Sequence, residues 1–210
     1  MKDKWHLIHR ERQALVSELA GIPSEAWETP SLCPGWDVHD VLAHLVNDAR
    51  TTWGRFAWDF ARARFDFDRM NAQGIARERS SSPKVTLNVF RAVSGRSTGA
   101  PAPFPTRLVE LFVHGEDIRR PLGISHEYPL PELGEALSYQ LSTTADFGGG
   151  RERAEGLSLE ATDSGLRHGS GPTVRGSSLA LLLAVSGRPV DPGELAGPGA
   201  EGFPVRNLSD

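Results

Sequence analysis

One segment limits what this chain can fold into more than any other. It is Leu108 to Ile118, an oily helix interrupted by Glu110 and His114. Leu108, Val109, Leu111, Phe112 and Val113 point in every direction around a helical axis, and a helix that is apolar all round is a buried one. Glu110 and His114 stand about one turn apart on a shared face. Val109 and Val113 flank that face on one side, Leu111 and Ile118 on the other. A carboxylate and an imidazole in such a setting must be paired or must hold a cation. Paired, Glu110 would meet Arg107 and His114 would donate to Asp117, as a satisfied core histidine does. An isolated Glu-x-x-x-His pair is a weak pattern, so a metal site requires a third ligand elsewhere.

The second strongly helical segment, Asp37 to about Phe60, offers one. Asp37 fits the N-cap, and a carboxylate at Asp40 suits the positive end of the helix dipole. Val38, Val41, Leu42, Leu45 and Ala49 then follow at the spacing of a core-facing stripe. His44 lies on the flank of that stripe, next to Val41 and in line with Asp40 and Asp48. Two imidazoles and a carboxylate are a minimal set for a divalent metal with open positions, zinc above all. His44, Glu110 and His114 are therefore the candidate ligands. Asp40, Asp48 and Asp117 are candidates to hydrogen-bond those imidazoles and fix their tautomers.

These same residues carry a resemblance. Ser31-Leu32-Cys33-Pro34-Gly35-Trp36-Asp37-Val38-His39-Asp40-Val41-Leu42-Ala43-His44-Leu45 is similar to the first signature of the mycothiol-dependent maleylpyruvate isomerase family. Glu110-Leu111-Phe112-Val113-His114-Gly115-Glu116-Asp117-Ile118-Arg119-Arg120 resembles its second. The resemblance implies a DinB-like four-helix bundle followed by a small α/β carboxy-terminal domain. It implies metal ligands at His44, Glu110 and His114. It also implies mycothiol as thiol cosubstrate and a small electrophilic substrate, consumed by transfer or by cis–trans isomerisation. Arg55, on the flank of helix two with His44, and Arg188, after the Leu-rich helix, are candidates to bind thiol or substrate.

Composition sets the outer limits. The chain has 210 residues and a formal net charge of -4, with basic residues dispersed, which leaves no electrostatic footprint for nucleic acid. No stretch is long and oily enough to span a membrane, and the amino terminus lacks the apolar run of a signal peptide. Its single cysteine excludes an internal disulfide and makes a reducing cytoplasm the expected setting.

Periodicity predicts four helices before residue 123: Lys4–Leu19, Asp37–Phe60, Lys84–Ser94 and Pro105–Pro121. The second carries an aromatic stripe, Trp53, Phe56 and Phe60, expected in the core. Arg62 to Ser82 reads as a loop with a short helix near Arg69–Arg79. Leu133–Asp146 reads as a further helix, ending at a Gly triplet, so the bundle domain is expected over 1–150 and the α/β domain over 151–210. In the latter, Leu157–Ala161 and Pro172–Arg175 read as strands, and Ser177 as the cap of a Leu-rich helix closed by Gly187.

Other polar residues are expected to be structural. Cys33 lies in a turn without a Cys/His couple, which makes it a turn residue before a nucleophile. His39 is expected to face solvent, and the Arg119–Arg120 pair to complement the helix dipole. Two functions besides a thiol-dependent enzyme fit the same bundle. One is a metal-binding or regulatory module, marked by a fourth protein ligand such as Cys33. The other is a hydrolase using metal-bound water.

Overall fold

Six helices build the amino-terminal part of the computed structural model, which describes residues Lys2–Phe203. They are α1 (Lys2–Leu19), α2 (Val38–Arg50), α3 (Trp53–Arg62), α4 (Phe67–Glu78), α5 (Pro83–Val93) and α6 (Pro105–Arg119). The apolar stripe of α2 is the axis of the core. Val38, Val41, Leu42, Leu45, Val46 and Ala49 are buried together with Leu15, Val16 and Leu19 of α1, Leu87, Phe90 and Val93 of α5, and Ile118 of α6. Leu42 is fully buried, so cutting it back to Ala would cost about 3 kcal/mol through lost transfer energy and an unfilled cavity.

The expected long second helix is broken. Thr51 has extended backbone (φ -65°, ψ 132°) and ends α2, and Thr52 caps α3 by accepting the Arg55 N–H at 3.4 Å. The Thr51 hydroxyl also donates to the Asn47 carbonyl at 2.8 Å. Two adjacent hydroxyl side chains that compete for backbone partners give the chain an alternative to continuing the helix. The aromatic stripe beyond the break is not core. No residue of α3 is buried and Trp53 is 72% exposed, while Phe56, Phe60 and Phe67 pack ring on ring at its partly covered side. The predicted loop after it contains a full helix, α4, capped by Asp66 through the Arg69 N–H at 3.0 Å.

Helix α6 is buried from Leu111 through Arg119, as an oily helix must be. Arg119 does more than complement a dipole. It is 1% exposed, and its Nε donates to Glu18 of α1 at 2.7 Å. Glu18 and Glu11 also face the two ring nitrogens of His126, at 3.0 and 2.6 Å.

Packing divides the chain into two compact units. The first runs to Arg107 and resumes over His114–His126, and the second takes Leu108–Val113 and the described residues from Glu127 onward. By this measure helix α7 (Leu130–Ser142) groups with the segments that follow Gly150. The second unit adds a short helix, α8 (Arg151–Ala154), and four strands: β1 (Ser158–Ala161), β2 (Arg167–Gly169), β3 (Thr173–Gly176) and β4 (Leu195–Ala196). Their order is β2-β1-β3-β4, with β1 and β3 parallel and the outer pairs antiparallel. Helix α9 (Ser178–Val185) starts where Ser177 accepts the Ala180 N–H at 3.1 Å and is buried at every position except the half-buried Leu179. Gly187, at φ +77°, closes it as the sequence predicts. The fold is therefore mainly helical with a small carboxy-terminal sheet. No described helix is long and apolar enough to cross a membrane.

Candidate metal centre

The loop before α2 is shaped by one turn. Cys33-Pro34-Gly35-Trp36 closes with the Trp36 N–H donating to the Cys33 carbonyl at 3.1 Å. Proline pre-sets the first central position, and Gly35 at φ +79° meets the demand of the second for positive φ. The Ser31 N–H donates to the Trp36 carbonyl at 2.9 Å, and the Leu32 N–H to the Asp117 carbonyl of α6 at 3.3 Å. Cys33 is thus a turn residue, its N–H donating to the Ser31 hydroxyl at 3.1 Å.

From this turn the chain enters α2 through a reciprocal cap. Asp37 accepts the Asp40 N–H at 2.7 Å and Asp40 accepts the Asp37 N–H at 3.2 Å, satisfying two donors that a helix start leaves open. Arg79 clamps both carboxylates, with Nη1 at 2.7 Å from each and Nη2 at 2.9 Å from Asp37. Burial pulls the Asp37 carboxyl upward, but the Arg79 hydrogen bonds and the Asp40 N–H outweigh it and hold the group below its usual range. His39, expected in solvent, is 3% exposed. Its Nε2 meets the Thr86 hydroxyl at 2.8 Å, and burial, with the charge of Arg79, pushes its pKa below the ordinary histidine value.

His44 sits less than two turns beyond the cap, on the flank of the core stripe. It is buried, as is His114, and their ring centroids lie 4.6 Å apart. Glu110 is half-buried on the preceding turn of α6. His44, Glu110 and His114 each offer one donor atom, and the three atoms lie within 4.8 Å of one another. No other group of three or more His, Cys, Asp or Glu side chains converges in this way among the described residues. The Trp36 ring lies 5.2 Å from His44 and 6.0 Å, stacked, from His114. The sequence reading assigns Trp36 no role of its own; the Pro34-Gly35 turn before it is the available sign that its position is fixed.

Of the three aspartates named for the imidazoles, Asp117 reaches one: it is fully buried and accepts from His114 Nδ1 at 2.8 Å. Asp40 is held by Arg79, and Asp48 by the buried Arg12 at 3.2 Å. Arg107, the alternative partner for Glu110, donates instead to the Ala100 carbonyl. Arg55 lies 3.5 Å from Glu78 and 3.7 Å from Asp59, and Arg188 donates to the Ser186 carbonyl at 3.0 Å.

Residues 8–106 match the family described as the mycothiol maleylpyruvate isomerase N-terminal domain. The amino-terminal part of this chain is similar to that domain. The maleylpyruvate isomerase match includes His44 and stops short of Glu110 and His114. Two solved structures share the fold. A histidine-to-alanine mutant of the mycothiol-dependent maleylpyruvate isomerase superposes with a TM-score of 0.63 at 16% identity, covering 94% of this chain and 92% of that one. A second structure of the mycothiol-dependent maleylpyruvate isomerase gives 0.60 at 14%, with the same coverage. Identities this low speak for the fold alone. No curated protein matches the chain.

Proposed function

We propose that this chain is a metal-dependent enzyme that activates a low-molecular-weight thiol, mycothiol, toward a small electrophile. The thiol is transferred to that substrate or drives its cis–trans isomerisation. The observation that carries the reading is the convergence of His44, Glu110 and His114 within 4.8 Å. These three would hold one divalent ion, and a His/His/Glu donor set suits zinc. When bound, such an ion lowers the pKa of a thiol at an open position and so supplies a nucleophile at neutral pH.

The chain's own residues prepare the site. Asp117 accepts the Nδ1 proton of His114, which selects the tautomer whose Nε2 carries the lone pair. Trp36 lies beside both imidazoles, limiting ring rotation and the access of water. Cys33 is not among the converging donors, which supports a site open to an external ligand over one closed by a fourth protein ligand. The family match supports mycothiol as that ligand.

Calorimetric titration of zinc-loaded protein with mycothiol, in two buffers of different ionisation enthalpy, tests the proposal. Binding should release a proton, because the bound form is the thiolate. It should also raise the melting temperature with the logarithm of thiol concentration. Neither heat nor proton release at millimolar thiol would contradict it.

A further inference from the structure

Helices α3 and α4 meet along an unusual seam. Arg55, Trp58, Asp59 and Arg62 recur at the spacing of one face of α3, and Gln73 and Arg77 share a face of α4. Together they line an open cavity of about 620 Å³, inside the size range of small-molecule sites. Most helix–helix seams bury apolar ridges; this one presents guanidinium groups and an indole.

The charges of the seam do not balance. Arg55 and Arg77 lie 3.7 and 2.9 Å from Asp59, and Arg50 and Arg55 lie 2.6 and 3.5 Å from Glu78. Arg62 is exposed at the cavity with no carboxylate partner among the described residues. Three guanidinium groups thus share two carboxylates, and Arg62 stands beside them without one. A purely structural network would be closer to neutral. The pairing also holds Arg55 and Arg77 in place, which reduces the entropy lost when they bind a ligand. Trp58, 65% exposed on the same wall, offers a flat apolar face.

We propose that this groove binds a small planar organic anion carrying carboxylates. Guanidinium forks match carboxylates in a bidentate way, and an exposed indole stacks on a flat unsaturated group. A neutral planar molecule would leave the positive charge unanswered, and a compact inorganic anion would leave the indole uncovered. The site is independent of the metal reading, because none of its residues is among His44, Glu110 and His114.

Phthalate is the probe, with benzamide and inorganic phosphate as its neutral and its compact controls. The readout is the Trp58 indole N–H resonance, assigned by its disappearance in Trp58→Phe. Phthalate should shift it saturably in the millimolar range, and each control should bind about tenfold more weakly or worse. Arg62→Ala should weaken phthalate binding by about tenfold, and His44→Ala should leave it unchanged. No saturable shift, equal binding of phosphate, or indifference to Arg62→Ala would overturn the proposal. Loss of binding in a folded His44→Ala protein would overturn it too, by placing the ligand elsewhere.

Discussion

Asp117 accepts a 2.8 Å hydrogen bond from Nδ1 of His114, one turn before it on α6, and the carboxylate is fully buried. A carboxylate placed behind an imidazole fixes ring orientation and raises the basicity of the other nitrogen. Asp117→Asn should therefore lower zinc affinity by about 10- to 100-fold while far-UV circular dichroism stays helical. Competition against a chromophoric chelator reads the affinity. Unchanged affinity would mean that Asp117 serves only the packing of α6.

Gly35 has its own test. At φ +79° a side chain is strained, so Gly35→Ala should cost about 1 kcal/mol, read from the urea midpoint. The same variant should weaken metal binding, because the turn is what carries Trp36 to His44 and His114. A stability loss without any effect on metal would separate the turn from the site.

Cys33→Ser should retain metal and any thiol-dependent activity. Its backbone closes the turn, and its side chain is outside the converging donors. Metal loss in this variant would favour a closed, non-catalytic site.

What was legible in the sequence followed from strong local signals. The Asp37–Asp40 cap, the stripe from Val38 to Ala49 and the oily run of α6 each announce their own structure, and the structure contains all three. The break at Thr51–Thr52 was hidden because the apolar spacing continues through it into Trp53, Phe56 and Phe60. Strands β2 and β4 were missed for a different reason. They span three and two residues, β2 is exposed throughout, and alternation has no room to show. At the site, Glu110 and His114 were visible as an anomaly in an apolar helix. The fates of Asp40 and Asp48 were not, since Arg79 and Arg12 come from distant parts of the chain.

The cap of α2 predicts a specific pH response. His39 is buried with its pKa below the ordinary value, so the unfolded state takes up its proton first as pH falls. Its stabilising contribution is complete above about pH 6.5 and declines below it, toward the folded pKa. Asp37 is also depressed, so its contribution is present above about pH 3.9 and is lost as pH falls through the folded value. Urea midpoints should hold level above neutrality, then fall in two stages. His39→Gln should flatten the upper stage alone, and an upper stage that survives the change would contradict the assignment.

The cap also rests on Arg79. Its guanidinium grips Asp37 bidentately, a geometry that an ammonium cannot reproduce. Arg79→Lys should lower stability by about 1 kcal/mol, given that water screens this half-exposed network. An unchanged urea midpoint would show that the network adds nothing to the fold.

Metal stoichiometry tests the account most directly. Wild-type protein, stripped with a chelator and dialysed against zinc, should retain about one ion per chain by mass spectrometry of the elements. His44→Ala and His114→Ala should each bind far less while remaining helical, because each removes one of three converging donors. Full retention of zinc by the folded double variant, or no zinc in the wild type, would contradict the metal centre.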